Sequence, residues 1–247
     1  MLTKPVGKFT FKQFGLNVST RSSFQSLDRL NRDIATTIAS DNNTRRGTTL
    51  VIGCPLPELI LRGINSLQAE LGQRIKAATG AENLVRWRRS LAALHLSVYG
   101  LLNPAEFAGQ PSPWDFSLAC LERVRSALPA QFTIAFSGLS LRWAGVAVGV
   151  SDSEELTSVR DTIGNLPGVS PIKKGALFNK VVVGRLDRPI RGREVAPLKQ
   201  VFADFEDYEG RFIGTQQVSF LRLIQYGDEL LENVQQFSDF PLRSADV

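Results

Sequence analysis

Between Thr48 and Gln225 the chain sets out one succession of segments twice, and that duplication constrains its fold more than any other feature. In the first copy, Thr49–Cys54 has the β-branched, apolar character of a strand, and Pro55 and Pro57 stop it. A helix beginning near Pro57, a tolerated first-turn position, carries Ile60, Ile64, Leu67, Leu71 and Ile75 on one stripe. The run Leu94–Tyr99 reads as a middle strand. After a Pro/Gly-rich loop, Leu118, Leu121, Val124 and Leu128 mark a second helix, and Phe132–Phe136 is a third strand before Gly138.

The second copy repeats the order. Ala144–Val150 is its first strand, and Ser151-Asp152-Ser153-Glu154 has the spacing of a capping box. The helix that follows holds Leu156, Val159 and Ile163 and stops at Gly164-Asn165-Leu166-Pro167-Gly168. Phe178–Leu186 is the middle strand, Leu198, Val201, Phe202 and Phe205 lie on a helix, and one long strand is expected near Gln217–Gln225. A β-α-β-α-β unit written twice defines an α+β class, with repeats at 48–140 and 141–226.

Outside the repeats the signals are sparser. Lys8–Phe11 reads as a short strand, and Ser23–Ser40 has helical spacing through Leu27, Leu30, Ile34 and Ile38. Residues 1–47 are therefore expected to be an extension packed on the body, and 227–247 a C-terminal tail. A net charge of +5, with arginine outnumbering lysine more than two to one, favours forked contacts to phosphate or carboxylate. Cys54 and Cys120 lie far apart, without the spacing of a disulfide framework or a zinc site. No metal or other cofactor is expected. No apolar run approaches membrane-spanning length, and the reading is a cytoplasmic protein of a reducing compartment, with no membrane partner. Gly145-Val146-Ala147-Val148-Gly149 sits inside a strand and lacks the glycine turn of a dinucleotide fingerprint.

The candidate chemistry sits on the first middle strand, Leu94-His95-Leu96-Ser97-Val98-Tyr99, which holds the only histidine of 247 residues. Alternation along a strand puts His95, Ser97 and Tyr99 on one side. An imidazole beside a hydroxyl suits phosphate chemistry, since the ring moves a proton while the hydroxyl holds a non-bridging oxygen. A histidine alone on a strand is also a common structural residue.

Together these segments resemble the 2H phosphoesterase superfamily, which includes 2′-5′ RNA ligase-like and cyclic phosphodiesterase-like proteins. The resemblance spans roughly residues 48 to 226. It rests on Thr49–Pro57, Leu94–Gly100, Phe136-Ser137-Gly138-Leu139 and Val181–Leu186. It implies two antiparallel-sheet lobes around a central cleft, with the helices outside. It also implies a His-x-Thr/Ser motif on the middle strand of each copy, the two histidines flanking a phosphate. By that resemblance His95 is a catalytic acid or base, while Ser97 and Tyr99 bind substrate phosphate. No metal is needed.

The second motif departs from this pattern. Its position in the repeat is Lys180-Val181-Val182, lysine standing for histidine and valine for Thr/Ser; Gln217-Val218-Ser219 is the other conceivable remnant, on a third strand. Lys180 is a candidate catalytic group that neutralises phosphoryl charge, or a strand-end residue that snorkels to solvent. Arg185 is expected on the face opposite Lys180. Arg86-Trp87-Arg88-Arg89 either binds phosphate or ends a loop packed by one tryptophan, and Lys173-Lys174-Gly175 reads as a solvated loop. The ligands implied are a nucleotide or an RNA-end, 2′,3′-cyclic phosphate. The competing readings are a divergent hydrolase of such esters, a catalytically silent nucleotide- or phosphate-binding module, and a scaffold whose cleft the chain itself fills.

Overall fold

The computed structural model describes residues 27–41, 46–88, 90–142, 145–170, 179–206, 210–227 and 234–244. The expected strand at Lys8–Phe11 and the Lys173–Gly175 loop lie outside them. The elements run α1 (Leu27–Asp41), β1 (Gly47–Gly53), α2 (Glu58–Thr79), β2 (Val85–Trp87), β3 (His95–Leu102), α3 (Pro104–Gly109), α4 (Pro113–Val124), β4 (Phe132–Arg142) and β5 (Gly145–Val150). They continue with α5 (Glu154–Gly164), β6 (Lys180–Leu186), α6 (Gly192–Phe205), β7 (Phe212–Val218), β8 (Phe220–Tyr226) and β9 (Val234–Pro241).

These strands form two antiparallel sheets, ordered β3-β1-β8-β9 and β2-β6-β5-β4-β7. The α+β class is as expected, with a specific exchange. The third strand of the first unit, β4, pairs with β5 of the second; the third strand of the second unit, β8, pairs with β1 of the first. Each sheet is thus completed by the other half. The helices follow the exchange: α2 packs with α6 over the second sheet, while α4 and α5 lie on the first.

Helix α2 shows how local sequence sets one of these elements. Pro57 occupies its N-cap with an extended ψ of 144°, and the left-handed Gly80 closes it with an N–H donated to the Lys76 carbonyl at 2.8 Å. Its buried stripe is Ile60, Ile64, Gln68, Leu71 and Ile75, so the interior helical position beside Leu67 is taken by a polar residue. Truncating a fully buried member such as Ile64 to alanine costs about 2 to 5 kcal/mol.

Four expectations are corrected. The long strand near Gln217–Gln225 is broken at Ser219 into β7 and β8, because the chain there crosses from one sheet to the other. The capping residue of α5 is Ser153, whose Oγ accepts the Leu156 N–H; Ser151 instead bonds the β4 backbone at Ala135 through both its N–H and its hydroxyl. The region read as a tail contains β9, which covers the edge of β8. Arg86 and Trp87 belong to a short strand, β2, rather than to a loop.

Candidate functional site

The two middle strands have one and the same register. In the first sheet His95, Leu96, Ser97, Tyr99 and Gly100 pair with Gly53, Ile52, Val51, Leu50 and Thr49. In the second, Lys180, Val181, Val182, Gly184 and Arg185 pair with Gly149, Val148, Ala147, Val146 and Gly145. Both ladders skip the fourth residue, Val98 in β3 and Val183 in β6, which is a β-bulge at the same offset. The equivalence extends one bond further: Cys54 N–H donates to Leu94 C=O at 3.1 Å, and Val150 N–H to Asn179 C=O at 2.8 Å. Lys180 therefore stands where the first half has His95, and Val182 where it has Ser97. Gln217-Val218-Ser219 occupies the break between β7 and β8 and has no such equivalence.

The bulges decide which side chains share a face. Ser97 pairs with Val51 and is exposed, whereas Tyr99, beyond the bulge, pairs with Leu50 and is buried. Simple alternation puts Tyr99 beside His95 and Ser97; the extra residue turns it to the opposite, core side. There its hydroxyl donates to Ser170 C=O at 3.0 Å. The same device acts in reverse on β6. Arg185, expected opposite Lys180, is brought onto the face of Lys180 and Val182, all three being partly exposed. The position matching Tyr99 is Gly184, where an added Cβ would stand 2.7 Å from the Trp87 ring, so β2 supplies by its tryptophan the bulk that β3 carries itself.

Side chains from the helices fix both bulges. Gln68 of α2, buried, donates its amide to Val183 C=O at 3.0 Å. Arg160 of α5 donates from Nε to Val98 C=O at 3.2 Å and from Nη1 to Asn179 Oδ1 at 2.6 Å. One guanidinium thus spans from the middle of β3 to the residue before Lys180. Asn179 also donates to Asp152 Oδ1 at 2.7 Å. Burial lowers the Arg160 pKa to about 10, opposed by the Asp152 charge, and the group stays cationic at neutral pH.

His95 is buried, and its Nδ1 lies 2.7 Å from Ala93 C=O. A carbonyl only accepts, so Nδ1 carries the proton and Nε2 keeps its lone pair. Burial and then the Arg88 charge lower the imidazole pKa to about 4, the Ala93 contact opposing them weakly. The ring is neutral at physiological pH. Arg88 follows β2, and its N–H donates to Val183 C=O at 3.0 Å, so a residue bonded to the β6 bulge exerts its charge on the β3 histidine. Arg222 of β8 adds a second guanidinium. It donates to Cys54 C=O at 2.5 Å and forms a forked pair with Asp239 at 2.6 and 2.8 Å. Burial raises the Cys54 thiol pKa, against the pull of Arg222 and Arg88.

Sequence reading singled out His95, Ser97, Lys180 and Tyr99 and missed Gln68, Arg160 and Arg222 as their supports. Gln68 left a signal, a polar residue interrupting an apolar helical stripe. Among the described residues no group of three or more His, Cys, Asp or Glu is placed to hold a metal ion. None of their helices is long and apolar enough to cross a membrane.

No protein-family model and no curated protein matches the chain. Solved structures do. The conserved protein of unknown function ATU0111 from Agrobacterium tumefaciens is similar over 83% of this chain and 88% of its own, with 15% identity and a TM-score of 0.52. Escherichia coli LigT in apo form covers 81% of this chain and 96% of its own, at 13% identity and a TM-score of 0.47, and its complex with 3′-AMP gives the same values. The ATU0111 likeness and the duplicated, strand-exchanged sheets with one motif strand in each decide the architecture. The fold is the α+β architecture that ATU0111 shares. In this fold β3 holds His-x-Ser and β6 holds Lys-x-Val in matching register.

Proposed function

We propose that the chain binds a nucleotide or RNA-end phosphate, of the 2′,3′-cyclic kind, between its two middle strands, with His95 as the sole proton-transfer group. The observation that carries this reading is the shared register of β3 and β6, bulge included, which makes Lys180 and Val182 the counterparts of His95 and Ser97. A neutral imidazole with a free Nε2 lone pair accepts a proton from an attacking hydroxyl. Ser97 donates to a non-bridging oxygen, and the Lys180 ammonium neutralises charge on the phosphoryl group.

The far side of the reaction is weak. Lysine holds its proton about 4 pH units more tightly than histidine, and Val182 offers no hydrogen bond. Losing one proton-transfer partner costs about two to four orders of magnitude in rate. Binding outlasts turnover in this arrangement. The test is calorimetry with 2′,3′-cyclic AMP and 3′-AMP, alongside a turnover assay. The expected result is binding that weakens at least tenfold in Lys180→Ala, and slow hydrolysis that vanishes in His95→Ala. An unmutated protein that binds neither nucleotide at millimolar concentration overturns the proposal.

A further inference from the structure

We propose that Phe220 and Phe237, with Arg222 between them, form a platform that stacks a nucleobase at a distance from the phosphate site, so that the ligand is a single-stranded oligonucleotide end rather than a mononucleotide. This rests on the reading of the preceding section for the phosphate and adds a second, separate contact.

The platform lies in register with the motif. Ser97 pairs with Val51, Val51 with Arg222, and Arg222 with Asp239, one row across four strands of the first sheet. Phe220 stands two residues before Arg222, and Phe237 two before Asp239, so both rings project from the face that Ser97 and Arg222 share. The Arg222 guanidinium carbon lies 4.6 Å from the centre of the Phe237 ring and 5.4 Å from that of Phe220. Its forked pair with Asp239 and its bond to Cys54 hold it still. The stack is therefore built before any ligand arrives.

Both rings are open to solvent, Phe237 at 60% and Phe220 at 36%. Among the described residues the other exposed large apolar side chains, Leu59 and Phe212, belong to α2 and β7 and add nothing to this face. Adjacent strands are about 4.8 Å apart, which puts β9 about 14 Å from β3. That exceeds the reach from a phosphate to its own base, and a neighbouring nucleotide bridges it. Open aromatic rings that stack bases are how proteins hold single strands without reading their sequence; the Arg222–Asp239 pair is itself neutral, and the attraction for a polyanion comes from the chain's net charge of +5.

The experiment uses the full chain and three probes: a 3′-phosphorylated pentaribonucleotide, ribose 5-phosphate and inorganic phosphate. The pentamer is expected to bind more tightly than ribose 5-phosphate. Phe237→Ala is expected to weaken the pentamer about tenfold, the loss of one stacked base, and to leave inorganic phosphate unchanged. Phe237→Trp restores pentamer binding, and Lys180→Ala weakens all three probes. Equal pentamer binding by Phe237→Ala and the unmutated protein overturns the platform, as does equal binding of pentamer and ribose 5-phosphate. A shift in oligomeric state caused by Phe237→Ala also overturns it, since the face then belongs to a second copy. Phosphate binding without a pentamer advantage removes the platform alone; no binding of any probe removes the phosphate site with it.

Discussion

Arg160 on α5 donates to the carbonyl of Val98, the residue that bulges out of β3, and with a second nitrogen it holds Asn179 at the threshold of β6. The two motif strands are thereby positioned by one side chain that touches neither His95 nor Lys180 in any bond described above. Arg160→Ala removes two bonds from a cation and leaves a buried carbonyl short of a donor. It is expected to lower stability by about 2 to 3 kcal/mol in urea unfolding. Gln68→Ala, at the matching bulge, is expected to cost only about 1 kcal/mol, because the Arg88 N–H still donates to Val183 C=O.

His95 makes stability depend on pH in a defined window. Its folded pKa of about 4 lies below the ordinary value of 6.5. As pH falls below 6.5 the unfolded chain takes up a proton that the folded chain refuses. Stability is full above 6.5, declines towards pH 4 and loses nothing further from this group below it. Comparing denaturant unfolding of the parent and His95→Gln isolates the effect from the carboxylates. The parent should lose about 3 kcal/mol more than the variant between pH 7 and pH 4.

Restoring the second motif tests whether β3 and β6 share one site. Lys180→His combined with Val182→Thr returns an imidazole and a hydroxyl to the register positions opposite His95 and Ser97. Hydrolysis of 2′,3′-cyclic AMP is expected to rise by about two orders of magnitude or more. A rate that stays flat while the protein remains folded argues that the strands serve different ends.

Tyr99 and Ser97 are expected to separate cleanly. Tyr99→Phe removes a hydroxyl that bonds Ser170 C=O on the core side, so stability drops by about 1 kcal/mol and phosphate affinity holds. Ser97→Ala, on the exposed side of β3, should leave stability within about 0.5 kcal/mol and weaken phosphate binding. Reversal of this pattern in paired unfolding and calorimetry experiments contradicts the face assignment.

Periodicity revealed the helices well, because residues such as Ile60, Ile64, Leu71 and Ile75 obey a 3.6-residue repeat that needs no knowledge of the partner. It also located both middle strands, while the match of Lys180 to His95 came from position in the repeat. It misplaced Tyr99 and Arg185 for a single reason: period-two alternation holds only where the ladder is unbroken, and one skipped residue inverts every position after it. β2 and β9 were missed for different reasons. β2 is three residues long, and β9 mixes polar and apolar residues on an edge. The exchange of β4 and β8 depends on pairings between distant segments, such as Thr49 with Ile224, that no local pattern encodes.

That exchange has a consequence for how the molecule is made. Neither half carries every strand of its own sheet, so a fragment ending after β4 leaves β1 without β8 and β4 without β5. Only the second half supplies the missing partners, β8 for β1 and β5 for β4. The sheet that carries His95 is therefore complete only once β8, from the second half, has paired with β1.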